Sequence, residues 1–198
     1  MRRFVIIGTR AMSKGKLPLN DMAGAAGRMD VLVRALMSSL LTSHGIRSDV
    51  EFTMILEGGP GPSRRIKFVG SELKGMHAEE RAVGGKIASV LKEPLPPRGR
   101  WIERSPGIYD SSGNLDDSLS EWSCPIVRLE ANAPILYNEI LPSNSSSNDI
   151  DLGFILGDDK QLKTERGIPR SLGEKWLQGH TCISIIHFLL DAGVKFRL

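Results

Sequence analysis

Apolar and polar positions alternate along the chain in blocks that predict strands and helices in turn. The β-branched apolar run from Phe4 to Gly8 predicts a buried strand. Between Arg28 and His44, apolar residues recur every three or four positions, which is the spacing of one buried helix face. This alternation predicts an α/β fold with a mainly parallel sheet flanked by helices, in a single domain over residues 1–198. Further strands are predicted at 49–56, 65–69, 126–137 and 152–157, a loop around Leu172-Gly173, and further helices at 79–92 and from about 180 onward.

Three segments lack a regular period and are interpreted as connections. Residues 10–27 are rich in Gly, Ala, Ser and Lys, and predict a long surface loop. Residues 93–120 carry several prolines and glycines and a run of Ser and Asp, which predict a long irregular connection of functional or mobile character. Residues 142–149 are polar and predict a loop too short to link two domains.

Composition and charge narrow the class of protein only modestly. The 198 residues are 40% hydrophobic and 25% charged, as in ordinary globular domains. A net charge of +3 permits a nucleic-acid partner without requiring one. No apolar run reaches the roughly 18–20 residues that span a bilayer, and the two cysteines, Cys124 and Cys182, give no disulfide framework. We therefore expect a cytoplasmic protein without a membrane partner.

Familiar catalytic signatures are missing from the sequence. The Gly-rich stretch at 57–63 lacks the Lys-Ser/Thr pair of a phosphate-binding P-loop, and no Gly-x-Ser-x-Gly elbow occurs. The four histidines have no paired metal-ligand spacing, and neither cysteine has a Cys-x-x-Cys partner. We therefore expect no metal site.

The last predicted helix is apolar on most sides, which indicates burial and, at the end of a small domain, a subunit interface. Cys182 near its start is either a small core residue or a residue that lines a ligand pocket, where the helix offers free N–H groups. His187 and Asp191 lie four positions apart and are interpreted as a hydrogen-bonded structural pair rather than a catalytic dyad.

Charged residues open the first long helix. Asp30 lies where a carboxylate favours the helix dipole, four positions before Arg34, which is the spacing of an ion pair. These charges are either solvated capping groups, or they point into an active site with Asp30 as base and Arg28 gripping phosphate.

Basic residues with Trp101 and Tyr109 interleaved form another candidate surface. Loops that present arginine and aromatic side chains suit RNA, and a generic basic surface is the alternative. The basic residues are Arg64, Arg65, Lys67, Lys74, Arg98, Arg100 and Arg104.

Several short motifs are distributed along nearly the whole chain. They are Gly27-Arg-Met-Asp30, Ser43-His-Gly-Ile-Arg-Ser-Asp-Val50, Phe68-Val-Gly-Ser-Glu-Leu-Lys74, Glu80-Arg81, Pro106-Gly-Ile-Tyr109, Phe154-Ile-Leu-Gly-Asp158 and His180-Thr-Cys-Ile-Ser-Ile-Ile-His187. By the order and spacing of these motifs the chain resembles the SPOUT methyltransferases, most closely the tRNA pseudouridine(54) N1-methyltransferase family. The resemblance implies a SPOUT fold, with a C-terminal trefoil knot over roughly residues 130–198.

The resemblance also implies a function. The cofactor would be S-adenosylmethionine, bound in the knot of a homodimer packed through its knot helices. The substrate would be tRNA, methylated at N1 of pseudouridine 54 in the T-loop, with Asp30 as candidate base, Arg28 as the grip on RNA and Glu72 as a second possible base. The alternatives are a related enzyme acting on ribosomal-RNA pseudouridine and a non-catalytic RNA-binding protein on the same scaffold. Carried over by position, the cofactor residues are Leu136, Gly157, Leu172, Gly173, Glu174, Lys175, Trp176, Leu177 and Cys182.

Overall fold

The structure is a computed structural model that describes residues 1–137 and 151–198, so the predicted loop at 142–149 lies outside the described residues. Within these ranges the elements follow one another as β1 (Arg2–Met12), α1 (Met29–Leu40), β2 (Val50–Gly58), β3 (Arg64–Val69), α2 (Glu80–Lys92), β4 (Ile102–Ser105), β5 (Ile108–Ser112), α3 (Leu115–Ser120), β6 (Ile126–Leu129), β7 (Leu152–Gly157), β8 (Ile168–Arg170) and α4 (Gly179–Asp191).

The described strands form one sheet in the order β4-β5-β3-β2-β1-β7-β6-β8. From β2 through β1, β7 and β6 to β8, neighbouring strands run parallel. Strands β3, β5 and β4 extend the sheet beyond β2 as an antiparallel wing. Phe4, Val5 and Ile6 of β1 are fully buried at the centre, and burial on both faces explains their continuous apolar run. The predicted mainly parallel α/β sheet is confirmed. Strands β4 and β5 of the wing are additions that the sequence did not predict.

The two faces of the sheet carry cores of different size. Helices α1, α2 and α4 contribute to the main core, where the rings of Phe4 and Phe154 stack with centroids 5.2 Å apart. The opposite face carries a smaller core in which Leu119 of α3 packs with Val5 and Ile155. The candidate site lies at the carboxyl ends of the parallel strands, beside the start of α4.

The segment 93–120 is more regular than its composition predicts. It contains β4, β5 and α3, so the prediction of an irregular connection was wrong from Ile102 onward. Strand β5 pairs with β3 along Ile108–Ser112, and pairing with a strand distant in sequence outweighs weak local propensity. Asn114 begins α3 with a capping box to Asp117, a signal that was present in the sequence.

The predicted surface loop at 10–27 is partly interior. Strand β1 continues to Met12, and the side chains of Leu17, Met22 and Ala26 are buried in the main core. The loop therefore packs against the domain, and this packing fixes where α1 begins.

Two predicted elements are shorter in the structure. The helix predicted at 28–44 ends at Leu40. The strand predicted at 126–137 ends as β6 at Leu129.

The predicted trefoil knot over roughly residues 130–198 stays a prediction, because the chain between β6 and β7 includes residues 138–150, outside the described ranges. The assignment of residues 1–198 to a single domain also stays a prediction. No helix in the described part of the chain is both long and apolar enough to cross a membrane.

Candidate functional site

A cavity of about 360 Å³ opens at the carboxyl ends of β6 and β7, beside the first turn of α4. Ligands of open α/β sheets bind at this edge, and the volume lies within the roughly 300–1,000 Å³ typical of small-molecule sites. Three segments build the lining: the chain after β6, the loop after β7 and the approach to α4. The lining residues are 129–132, 156–162, 176–179 and Cys182.

Gly157 ends β7 and lets the following loop fold back against the strand. A Cβ atom at this position would lie 2.7 Å from the backbone carbonyl oxygen of Lys160 and 3.4 Å from the side chain of Leu162. The loop is also fixed to β1, because the N–H and hydroxyl groups of Thr9 both donate to Oδ2 of Asp158 at 2.8 Å. The cavity wall is therefore held in place by the backbone and by one carboxylate.

Helix α4 presents its amino-terminal end to the cavity. Gln178 at the N-cap makes no side-chain capping hydrogen bond, and the N–H groups of a first helical turn have no intrahelical acceptors. This end of a helix favours the acceptor or anionic group of a ligand. Burial raises the pKa of the Cys182 thiol to about 11, so the thiol is protonated at neutral pH and serves as lining rather than as a nucleophile.

The structure brings most of the predicted cofactor residues together. A smaller cavity of about 60 Å³ adjoins the first and shares part of its lining. The predicted residues Gly157, Trp176, Leu177 and Cys182 line the larger cavity, and Leu172, Gly173 and Lys175 line the smaller one.

Leu136 and Glu174 stand apart from both linings. Leu136 is fully buried, and its backbone joins neighbouring segments. Its N–H donates to the Ser171 carbonyl at 2.9 Å, and its carbonyl accepts from the Arg197 N–H at 2.7 Å. The side chain of Glu174 is exposed and lines neither cavity. Leu136 thus supports the segment that lines the smaller cavity, and the structure does not bring Glu174 into the site.

Sequence reasoning missed several residues of the larger cavity: 129–132, 156, 158–162, 178 and 179. Two of these stretches, 130–132 and 158–162, follow the carboxyl end of a parallel strand, which is the signal that could have found them. The first was missed because the strand was predicted to continue to residue 137, whereas β6 ends at Leu129.

A group of five charged side chains, here called the arginine cluster, lies beside the cavity: Arg10, Arg28, Arg34, Asp30 and Asp159. Asp30 at the start of α1 accepts hydrogen bonds from Arg28 at 3.0 and 3.2 Å, and one from Arg34. Arg28 also donates to Oδ2 of Asp159 at 3.3 Å, and Arg10 donates to the same oxygen. Because Asp159 lines the cavity, the cluster connects the start of α1 to the cavity wall.

The arginines keep Asp30 ionised. Burial on its own would raise the pKa of Asp30, but the hydrogen bond from Arg28 and the charges of Arg28 and Arg34 outweigh it and lower the pKa below its usual value. The ion pair with Arg34 that the four-residue spacing predicts is confirmed. A carboxylate held in this way is a weak proton acceptor near neutral pH.

Glu72, the second candidate base, lies outside this arrangement. Its carboxylate accepts a hydrogen bond from the Tyr109 hydroxyl, which raises the pKa of Tyr109 to about 12. Neither side chain lines the cavity. Among the described residues, no group of three or more His, Cys, Asp or Glu side chains is placed to hold a metal ion.

Two basic residues expected on an RNA-facing surface are buried instead, which corrects that expectation. Arg64 and Arg65 of β3 are fully buried. Arg64 pairs with Asp110 at 2.6 Å, and Arg65 pairs with Glu121 at 2.9 Å. Strand β3 lies inside the sheet between β2 and β5. Arg64 neutralises the buried Asp110 and Arg65 pairs with the partly exposed Glu121, so neither buried guanidinium group is available to a partner.

His187 and Asp191 are joined through Arg2 rather than to each other, which corrects the predicted direct pair. Nδ1 of His187 lies 2.9 Å from Nη1 of Arg2, and Nε2 lies 2.9 Å from the carbonyl oxygen of Ser39. The ring therefore accepts from Arg2 and donates to Ser39, which fixes its tautomer. Arg2 also pairs with Asp191 at 2.7 Å.

Known proteins resemble this chain along nearly its whole length. The family model described as "Putative SAM-dependent RNA methyltransferase", where SAM is S-adenosylmethionine, matches residues 1–194. A tRNA (pseudouridine(54)-N(1))-methyltransferase of Methanospirillum hungatei is 41% identical over 94% of this chain and 94% of its own. One of Methanocella arvoryzae is 33% identical over 96% of this chain and 99% of its own.

Among solved structures, the chain resembles Archaeoglobus fulgidus Nep1 bound to S-adenosylhomocysteine, with a TM-score of 0.62 over 96% of each chain and 12% sequence identity. At this identity the likeness concerns the fold alone, and it confirms the predicted SPOUT class of fold. The chain belongs to the family of SAM-dependent RNA methyltransferases that the model matching residues 1–194 describes.

Proposed function

We propose that this chain transfers a methyl group from S-adenosylmethionine to N1 of pseudouridine 54 in the T-loop of tRNA. The observation that carries the proposal is full-length similarity, at 33–41% identity, to relatives that bear the name of this activity. A cavity of suitable size at the sheet edge, next to an arginine cluster, is the structural counterpart.

The cavity fits such a cofactor by the chemistry of its lining. Leu129, Leu156 and Leu177 offer apolar surface, and the backbone beside Gly157 and at the start of α4 offers hydrogen-bonding groups. When bound, S-adenosylmethionine supplies a methyl group on a positively charged sulfur. We assign its binding to the residues that line the two cavities, while Leu136 supports them from beneath.

The target atom explains why a modified base is needed. N1 of uridine is bonded to the ribose, whereas pseudouridine is attached through carbon and presents N1 as a free N–H. The protein must place that nitrogen toward the methyl donor, and positioning of this kind lowers a barrier substantially. Arg28, whose side chain is partly exposed and contacts Asp159 of the cavity lining, is the residue we assign to bind the RNA.

We assign Asp30 a positioning role in the first place. Its contacts with Arg28 and Arg34 orient both guanidinium groups, and its lowered pKa makes it a weak base. Asp30→Asn should then raise KM for RNA and keep both the shape of the pH–rate profile and the affinity for S-adenosylhomocysteine. If Asp30 is the base, as the sequence predicts, the variant would instead lose kcat and the acidic limb of the profile. Asp116→Asn is the matched control, because Asp116 is an exposed carboxylate that does not line the cavity. Glu72→Gln tests the second candidate base in the same assay.

The primary test uses methyl-labelled S-adenosylmethionine and two T-arm hairpins that differ only in uridine or pseudouridine at the target. Label in the pseudouridine hairpin alone is the expected result. Label in neither hairpin, but in a ribosomal-RNA fragment that contains pseudouridine, would favour the related ribosomal enzyme. RNA binding without any label transfer would indicate a non-catalytic RNA-binding protein.

We further propose a homodimer that packs through α4. Phe188 of α4 is 63% exposed. Together with Met37 and Leu41 of the neighbouring α1 region, it supplies apolar surface to a groove that polar side chains also line. Burial of such a patch between two copies would stabilise a dimer. Analytical ultracentrifugation should show a dimer for the unaltered chain and a shift to monomer for Phe188→Ser.

A tRNA substrate would place the enzyme in the cytoplasm.

A further inference from the structure

Arg10 and Arg28 converge on a single oxygen atom, Oδ2 of Asp159. The side chains of the two arginines are 45% and 34% exposed, and that of Asp159 is 31% exposed. The ion pairs therefore lie at the surface, beside the cavity that Asp159 helps to line.

The backbone enforces this convergence. Gly27 abuts the carbonyl oxygen of Arg10 so closely that a Cβ atom there would lie 1.8 Å from it. The Met12 N–H donates to the Ala26 carbonyl at 3.2 Å, which ties the same segment to the end of β1. Arg28 follows with φ of 68°, a left-handed conformation that is costly for a residue with a side chain. Strain of this kind is retained where the position of the side chain matters.

The ion pairs of the cluster differ in strength. Three guanidinium groups, from Arg10, Arg28 and Arg34, pair with the two carboxylates of Asp30 and Asp159. The neighbouring carboxylate of Asp158, which Thr9 holds, also acts on Arg28 through its charge. Asp30 is buried and held by two arginines, whereas the pairs of Asp159 are exposed and such pairs contribute little to stability. An incoming anion could therefore displace Asp159 at small cost. A phosphodiester carries one negative charge and two free oxygens, which suit two converging guanidinium groups.

We propose that Arg10 and Arg28 form a binding site for a backbone phosphate of the RNA substrate, and that Asp159 is the internal counter-ion that this phosphate displaces. The proposal rests on the proposed function for the identity of the RNA. It adds Arg10 to the RNA contact assigned to Arg28. It also explains why the Asp159 carboxylate lies at the edge of the proposed cofactor cavity.

The test measures binding of a tRNA transcript as a function of salt concentration, without turnover. Arg10→Gln should weaken binding and reduce the slope of log K against log salt by about one, as loss of one phosphate contact does. Asp159→Asn should tighten binding by about three- to tenfold at low salt, because no counter-ion has to be displaced. In the Arg10→Gln background that gain should shrink, since the two side chains share one site.

Asp116→Asn is the matched control, because it removes the same charge from an exposed carboxylate whose nearest cation, Arg166, lies 3.7 Å away. The proposal is overturned if Asp159→Asn binds tRNA no more tightly than Asp116→Asn, or if Arg10→Gln leaves the salt slope unchanged. Failure of the unaltered chain to bind tRNA would also overturn it.

Affinity for S-adenosylhomocysteine separates this proposal from its rivals. The affinity of Arg10→Gln for S-adenosylhomocysteine should stay within about twofold of that of the unaltered chain, and this result would also show that the cavity is intact. A large loss of affinity would instead assign Arg10 to the carboxylate of the cofactor. Methylation of the pseudouridine hairpin is a separate readout. If the unaltered chain transfers methyl groups but Arg10→Gln leaves the salt slope unchanged, only the phosphate site is refuted. If Arg10→Gln reduces the salt slope as expected but the unaltered chain transfers no methyl group, only the proposed activity is refuted.

Discussion

Arg64 and Asp110 form a bidentate ion pair in which both side chains are fully buried, with Nε–Oδ1 and Nη2–Oδ2 distances of 2.8 and 2.6 Å. The pair joins the adjacent strands β3 and β5. Arg64 also donates to the carbonyl oxygens of Val90 and Glu93 at the end of α2, and Arg104 donates to Asp110 from β4. One buried carboxylate thereby holds the antiparallel wing and a helix end together.

Asp110→Asn should lower the free energy of unfolding by about 3–5 kcal/mol, because it leaves the Arg64 guanidinium buried without its counter-charge. Urea denaturation measures the effect. Asp116→Asn, at an exposed position, should change it by less than about 0.5 kcal/mol. Equal effects of the two substitutions would contradict the structural role of the buried pair.

His187 should make stability depend on pH. Burial, and then the charges of Arg47 and Arg2, lower the pKa of His187 to about 4, against about 6.5 in an unfolded chain. Between these values the unfolded chain binds the proton and the folded protein does not. The free energy of unfolding should therefore fall as pH drops from about 6.5 to 4, by about 3 kcal/mol in total.

The measurement is urea denaturation of the unaltered chain and His187→Gln across pH 4–8. The variant should be less stable at pH 7.5, because the contacts of His187 with Ser39 and Arg2 are disturbed. Its stability should also fall less steeply between pH 6.5 and 4, since the titrating ring is gone. Parallel curves for the two proteins would show that His187 is not the source.

Gly157→Ala should reduce the affinity for S-adenosylhomocysteine by about tenfold or more, since its Cβ would force the Lys160 carbonyl and the cavity wall to move. Isothermal titration calorimetry measures the affinity directly. Gly85→Ala in α2 serves as the control, because its Cβ meets no atom within 4 Å and it lies away from the cavity. Undiminished binding by Gly157→Ala would remove this cavity from the proposed cofactor site.

Adjacent glycines in α2 provide a matched pair for stability. Gly85→Ala should raise the free energy of unfolding by about 0.5–1 kcal/mol, because alanine favours a helix and the site is open. A Cβ at Gly84 would lie 2.9 Å from Sδ of Met22 and 3.1 Å from the side chain of Leu19. Gly84→Ala should therefore gain less stability than Gly85→Ala, or lose stability. A larger gain for Gly84→Ala than for Gly85→Ala would contradict the packing of the 10–27 loop against α2.

Local pattern determined the elements that have strong periodicity or continuous apolar runs. Phe4 to Ile6 predicts its buried strand and Met29 to Leu40 its amphipathic helix, because a fixed period assigns residues to one face whatever lies opposite. Short motifs identified the family, and seven of the nine residues transferred by position line one of the two cavities. These signals are local, so the sequence alone was sufficient to assign these elements and the family.

Only the tertiary structure decided how distant segments meet. The wing strands β4 and β5 are weak by local propensity and form because β3 supplies a partner. In the sequence, Arg64 and Arg65 look like surface charges. Only the fold brings their partners, Asp110 and Glu121, next to them. Arg10 and Asp159 likewise meet only because β1 and β7 run side by side. The sequence by itself determined the strongly patterned elements and the family. Which strands pair and which charged side chains meet depends on contacts between distant residues, and no local pattern encodes such contacts.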